Sequence, residues 1–524
     1  MPLFTDNPFL AVFYALLSLP FFNSPYWMIL ACGLGRFIMF AFLWLAVYLI
    51  ARQLQEEHNP TILVGMMFVS SIGLDLLPNP SDGMFTILSA FTLWKLIAFY
   101  KQDQVKDLLC SSVFLGLAAL SRNDGIVLFL IYLVLVIAVI ISGKRKWKSV
   151  LYAILPFIVM VGGYLLIGGL VTGNFSMGIS ARSYLAFEQG HELAYEGGGI
   201  HSPTINAMLD AQEVYGTAEE NNLSVFRAIM GNPGAYFKRL KIILTKLPFQ
   251  FLEVYNKKLT ALFLLFMFRG IYEMFRKKKF IELGLIILWA AYLLTYLLTF
   301  VREGYLRTVF FIIFILASIG LSAITNNLHK KSEKVFILGS LILLIISGLF
   351  FNKLAIYYGA SLFLISFIAI LMIRKRFVNL PKVNEYSLVL LLLAGIILRG
   401  NYPSPRMWTL GDQGDEMAAI YMMENLEKGT SVLAGSPGVP WLAKMNFLSL
   451  NSTDVPAMES KAVFHEWMQN EGISAVYVDY SISRDAPYYW DLIQELENDG
   501  LDLVFSANQG SNRVYILDES WNGK

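Results

Sequence analysis

Charge is what this chain has least of. Only 15% of its 524 residues are Asp, Glu, Lys or Arg, against about a quarter in soluble domains. A water-soluble fold of this length would lack the charges to cover its surface. Cysteine is scarce too: Cys32 and Cys110, both in apolar stretches, make neither a disulfide framework nor a metal-type pair. The five histidines are scattered without a ligand spacing such as HxxxH. Nor is there an excess of one sign, because 41 Lys and Arg stand against 39 Asp and Glu, which argues against disorder and nucleic-acid binding. The start, MPLFTDNPFLAVFYALLSLPFF, has neither the basic leader nor the small-residue cleavage pattern of a signal peptide. What abounds is apolar: 56% hydrophobic and 14% aromatic residues. The chain is a multi-span membrane protein.

A bilayer-crossing helix needs about 20 apolar residues. Runs meeting or approaching that length lie at 27–50, 61–77, 84–100, 108–121, 126–142, 149–171, 259–275, 281–300, 307–325, 335–351, 354–373 and 385–399. They predict an α-helical polytopic membrane protein with about twelve transmembrane helices. Segment 8–22 is shorter, is broken by Pro20, and suits the interface. One set of alternate loops, from Arg52 to Lys382, carries eighteen Lys and Arg; the other carries four, Arg122, Arg302, Arg307 and Lys353. The basic set is assigned to the cytoplasm.

The chain then divides into a juxtamembrane segment 1–26, helices 27–172, an extracytoplasmic loop 173–257, helices 258–400, and an extracytoplasmic tail 401–524. The tail holds 7 basic and 18 acidic residues. β-rich runs (431–435, 475–480, 514–518) alternate in it with helical runs that stop at Gly472 and Gly500. It reads as a small α/β domain. It carries no nucleotide-binding glycine motif and no paired catalytic constellation, so a structural or substrate-lid role is its plain reading.

Charges within or at the ends of spans are costly and mark function. All the unusual ones fall toward the outer face. Arg36 lies about ten residues into its span, roughly 15 Å along the helix. Asp75 and Asp82 bracket the turn LDLLPNPSDG, Arg122 and Asp124 form SRNDG, and Arg302, Glu303 and Arg307 form VREGYLR. Any one arginine could merely snorkel to the headgroups, but three on one face, from distant spans, suit a lipid phosphate or pyrophosphate. A neighbouring aspartate could serve as general base toward an acceptor hydroxyl. The long loop adds Tyr184, Glu188, His191, Glu192, Tyr195 and Glu196. Aromatic and acidic groups there suit sugar binding, although an ordinary amphipathic loop packed on the membrane surface has the same composition.

With these residues in view, the chain resembles the polyprenyl-phosphate-sugar-dependent GT-C glycosyltransferases, the group of protein O-mannosyltransferases and the aminoarabinose transferase. The resemblance rests on the order and sidedness of several motifs. These are Arg36 ahead of Arg52, NPSDG, ALSRNDG, a long loop with YGTAEEN and NPGAYFKRL, the REGYLR start of a later span, and the α/β tail. It implies inverting transfer of a sugar from a polyprenyl phosphate to an outer acceptor. Arg122 and Arg307 would bind the donor phosphate, with Arg36 and Arg302 supporting; Tyr184, Glu188, His191, Glu192 and Tyr195 would face sugar or acceptor. The family's catalytic aspartate sits in a first external loop after an initial span, and segment 8–22 looks like the juxtamembrane helix before the second span. The first span and most of that loop are therefore expected to be missing, leaving Asp6, Asp82 and Asp124 as candidate bases.

No cofactor is demanded by a motif, and a divalent cation stays open because the loop acids form no dense cage. The expected partners are a polyprenyl-phosphate-linked sugar, membrane lipids and an unidentified acceptor, with no nucleic acid, in the plasma membrane. A secondary transporter is disfavoured by the lack of duplicated halves and of midplane charges. A polymerase or ligase of lipid-linked glycans, or an inactive accessory protein, shares the remaining features.

Overall fold

The computed structural model describes residues 8–21, 25–54, 80–143, 146–172, 183–184, 186–191, 205–258, 262–298, 305–306, 308–327, 342, 413–435, 438–450, 460–479, 482, 487–497, 499–507 and 512–518. Helices α1 (Pro8–Ser18), α2 (Pro25–Leu54), α3 (Pro80–Gln102), α4 (Val105–Ser121) and α5 (Asp124–Ser142) are followed by α6 (Ser149–Phe157), a π turn (Ile158–Gly162) and α7 (Gly163–Thr172). The loop region forms α8 (Ile205–Tyr215), α9 (Val225–Gly231) and α10 (Pro233–Lys258). The bundle resumes with α11 (Leu262–Arg276), α12 (Phe280–Trp289) continuing as a 3-10 helix (Ala290–Leu297), and α13 (Phe310–Asn327).

Five helical stretches among the described residues are long and apolar enough to cross a membrane: Leu34–Leu54, Ser81–Gln102, Asp124–Ser142, Ser149–Val171 and Phe280–Leu297. The expected runs 108–121, 259–275 and 307–325 fall on the helices α4, α11 and α13. The expected runs 61–77, 335–351, 354–373 and 385–399 lie outside the described residues apart from residue 342. Helix α3 is the hub, 78% buried, whereas Ser149–Val171 is 17% buried and presents its apolar side chains outward. An outward apolar face of that length suits contact with lipid.

Two local devices hold the bundle. Pro156 within α6 removes a backbone donor. Beside it the Ser112 hydroxyl of α4 accepts from the Phe157 N–H (3.2 Å) and donates to the Ala153 carbonyl (2.6 Å), satisfying both groups from a neighbouring helix. At the lysine-rich end, Lys279 donates to the Leu54 carbonyl (3.0 Å) and Lys101 to that of Gln53, so two cations cap the negative end of α2.

Residues 413–518 form a five-stranded sheet in the order β2-β1-β3-β5-β4, from β1 (Ser431–Ala434), β2 (Asn446–Ser449), β3 (Ala475–Val478), β4 (Leu501–Ala507) and β5 (Asn512–Leu517). Strand β1 pairs in parallel with β2 and β3, and β5 runs antiparallel to β3 and β4. Alternation puts Val432, Ala434, Ala475, Tyr477 and Val514 against α14 (Gln413–Asn425) and α15 (Gly438–Leu442). Leu433, Val476, Val478, Tyr515 and Leu517 face α16 (Lys461–Asn470) and α17 (Pro487–Leu496). On the first face Tyr477 and Asn512 both donate to the Asp415 carboxylate, at 2.5 and 2.7 Å, so buried polar groups lock α14 to the sheet.

Candidate functional site

Arg122 stands in the short break between α4 and α5. Its backbone is extended (φ −161°, ψ 134°), and its N–H still bonds the Ala118 carbonyl at 2.9 Å. The turn needs the glycine of SRNDG: a Cβ at Gly125 would lie 2.4 Å from the Ala119 Cα. Any side chain there would push α5 off α4, and Arg122 with it.

The guanidinium is the hub of the site. It pairs with the carboxylates of Asp82 and Asp124. It donates to the Tyr296 hydroxyl at 3.3 Å, and it lies over the Tyr305 ring, 4.8 Å from the centroid. Tyr305 stacks on Tyr296 at 4.1 Å with an interplanar angle of 9°. The Tyr292 hydroxyl bonds that of Thr308, which donates back to the Tyr305 carbonyl at 2.7 Å. Phe85 meets Tyr292 edge-on at 5.6 Å, and the Trp289 indole donates to Ser89 at 2.9 Å. Together these contacts fasten the α12 span along α3.

Asp82 and Asp124 each occupy the first turn of a helix, α3 and α5. Helix N-termini are positive and bind anions. Two such ends and one guanidinium therefore converge where two carboxylates now act as the anions. The same arrangement can hold a phosphate, by exchange with either carboxylate.

Of the sequence candidates, Asp82, Arg122 and Asp124 are brought together. Arg36 is half-buried on α2. Because Lys101 reaches Gln53, the parallel helices α2 and α3 share a level there. Seventeen residues back along each, Arg36 stands about level with Met84, two residues from Asp82. Asp6, Arg302, Arg307, Glu192 and Tyr195 lie outside the described residues. Tyr292, Tyr296, Tyr305 and Thr308 were not singled out from the sequence. The available signal was a pair of tyrosines four apart in the run 281–300, which is apolar between Leu283 and Leu294.

Tyr184, Glu188 and His191 build a separate cluster. Tyr184, Phe187, Tyr215, Ala228 and Tyr236 make its small apolar core. The Tyr184 hydroxyl donates to the Gly216 carbonyl at 2.7 Å and accepts from Asn221 at 2.9 Å. Gln212 donates to Glu188 at 3.0 Å, and His191 meets Tyr215 edge-on at 5.6 Å. YGTAEEN is a reciprocal cap, with Thr217 N–H bonding Glu220 and Glu220 N–H bonding the Thr217 hydroxyl. Arg239 of α10 is fully buried, donates to the Phe187 carbonyl at 2.9 Å and lies over the Phe187 ring. Among the described residues, no three His, Cys, Asp or Glu are grouped as a metal site would require.

This cluster is expected to respond to pH. Burial, then the nearby Arg239 cation, lowers the His191 pKa below its ordinary 6.5. Its stabilising contribution is therefore full above 6.5 and is lost as pH falls below that value, because the unfolded loop takes up the proton first. Burial raises Glu188, against the Gln212 hydrogen bond, so that group has the opposite slope and favours the folded loop in acid. Amide exchange of 186–191, corrected for intrinsic rates, should quicken from pH 7 to pH 5.5. Replacing His191 with Phe should flatten that response.

The family described as dolichyl-phosphate-mannose-protein mannosyltransferase matches residues 6–165. No curated protein matches the chain. Among solved structures, the Archaeoglobus fulgidus oligosaccharyltransferase in its apo form is 13% identical, with TM-score 0.52, over 98% of this chain and 67% of that one. The same enzyme tethered to an acceptor peptide containing the NVT sequon is 14% identical, with TM-score 0.50, over 99% and 67%. The likeness is one of fold, and it agrees with the GT-C resemblance of the sequence.

Proposed function

We propose that this chain is a membrane glycosyltransferase, moving a sugar from a polyprenyl phosphate to an acceptor at the Arg122 end of the bundle. One observation carries the reading: Arg122 is held between Asp82 and Asp124 at two converging helix N-termini. An incoming donor phosphate displaces one carboxylate from the guanidinium and takes its place. The released carboxylate then accepts the proton of the acceptor hydroxyl. The acceptor oxygen bonds the anomeric carbon as the bond from that carbon to the phosphate oxygen breaks, inverting the centre. The electron pair leaves on the polyprenyl phosphate, where Arg122 stabilises it.

Arg36, Arg302 and Arg307 complete the basic lining of the phosphate path in this reading. Tyr184, Glu188, His191, Glu192 and Tyr195 belong to the loop that receives sugar and acceptor. The Arg122 end and the acidic tail face away from the cytoplasm, in the plasma membrane. The supports are the family match over residues 6–165, the shared fold, and the Arg122 geometry.

In proteoliposomes with a polyprenyl-phosphate sugar, Asp82→Asn and Asp124→Asn separate the two roles. Loss of the base should lower turnover by about 10²–10⁴ with donor affinity kept. Loss of the other carboxylate should change donor affinity more than turnover. Full turnover in both variants would refute the assignment.

A further inference from the structure

The segment carrying Tyr296 is an unusual piece of helix. From Ala290 to Leu297 the α12 span is wound as a 3-10 helix for eight residues, whereas such runs seldom exceed three or four. Its hydrogen bonds are poorer than those of an α-helix, so contacts outside the segment must hold the winding. On the bundle side, Trp289 is tied to Ser89 and Tyr292 to Thr308. At the far end, the Tyr236 hydroxyl of α10 donates to the Leu297 carbonyl at 3.2 Å. That carbonyl lies at the C-terminal end of the described run, where helical carbonyls commonly take partners from outside the helix.

Tyr236 is itself anchored. Its ring is 6% exposed within the loop core, and three residues on Arg239 grips the Phe187 carbonyl. The loop cluster is thus tied to the end of the segment whose Tyr296 receives Arg122.

We infer that Tyr236 is a positioning residue for the phosphate site: it holds 290–297 in the 3-10 winding and so keeps Tyr296 against Arg122. The inference rests on reading Arg122 as the donor-phosphate group. Rewinding Ala290–Tyr296 from about 120° to about 100° per residue would turn Tyr296 by roughly 140° and draw it back by about 3.5 Å. Either displacement takes the phenol away from the guanidinium and breaks its stack with Tyr305. The loop and the Arg122 site then share one element, the winding of this segment.

The test uses the full chain in nanodiscs, with a polyprenyl phosphate as the probe. Tyr236→Phe keeps the ring and deletes only the donor. Amides of 291–298 should then exchange faster while those of 205–221 stay unchanged, and probe binding should weaken about tenfold, the scale of one lost hydrogen bond. Tyr296→Phe should weaken binding by a similar factor. The double variant should be no weaker than the worse single one, because both act along one path. Additive losses, or unchanged exchange at 291–298 in Tyr236→Phe, would overturn the inference. Faster exchange at 205–221 would overturn it as well, since the hydroxyl would then be holding the loop. If the parent chain does not bind the probe at all, the functional reading fails, and the exchange result alone decides the role of Tyr236.

Discussion

Replacing Arg122 with alanine should abolish sugar transfer from a polyprenyl-phosphate donor and also destabilise the bundle. The two effects have separate causes. Chemically, the leaving phosphate loses its cation, and removing one such donor typically costs about 10²–10³ in rate. Structurally, the Asp82 side chain is only 9% exposed, and truncating Arg122 removes the guanidinium that it shares with Asp124. Breaking a buried pair from one side costs about 3–5 kcal/mol. A second variant separates these effects. Arg122→Met combined with Asp82→Asn removes the orphaned charge, so thermal unfolding in detergent should recover most of the loss while transfer stays absent. Arg122→Lys keeps the charge but loses the planar fork that spans two carboxylates and rests on Tyr305. It should retain folding and lose more than about tenfold of the activity. Transfer at the parent rate in Arg122→Ala would remove Arg122 from the mechanism.

The second large effect is expected far from that charge. At the crossing of α11 and α13, a Cβ on Gly320 would lie 1.9 Å from the Phe266 carbonyl oxygen and 2.7 Å from the Gly270 nitrogen. A Cβ on Gly270 would meet the Leu316 carbonyl oxygen at 1.9 Å. Both obstacles are backbone, so no rotamer change can relieve them. The helices would have to move apart along a buried seam that includes Phe266, Phe310, Ile313 and Ala317. Gly320→Ala should therefore cost at least about 3 kcal/mol, the upper end of overpacking, and leave little monodisperse protein on size exclusion. Gly284 on α12 is the control, because nothing among the described residues lies within 4 Å of its added Cβ. There alanine should be neutral or stabilise the helix by about 0.5–1 kcal/mol. Equal melting of the two variants would mean that the α11–α13 seam has slack its backbone contacts do not show.

The site was partly legible because charge in a membrane is conspicuous. Asp82, Arg122 and Asp124 stood out as ions at span ends, and they meet in the structure. Tyr292, Tyr296 and Tyr305 did not stand out, because a tyrosine in an apolar run reads equally as packing. Tyr184 was conspicuous as an aromatic on a loop, yet its hydroxyl bonds the turn at Gly216 and Thr217, a closure thirty-odd residues away that periodicity cannot register. Strands β1, β3 and β5 fall on apolar runs, while β2 has only two apolar residues between Asn446 and Ser449 and β4 is interrupted by Asp502 and Ser506, so neither stood out locally.

The sequence by itself determined the solvent of the fold. Scarce charge and long apolar runs require lipid, because transfer free energies are set residue by residue along the chain. Tertiary structure alone decided which charges are neighbours and which helices can touch. Arg122 meets Asp82 across forty residues and Tyr296 across more than a hundred and seventy, and two glycines fifty residues apart allow α11 and α13 into backbone contact. The physical reason is that such contacts arise only when the helices dock, and docking depends on the packing of the whole bundle at once.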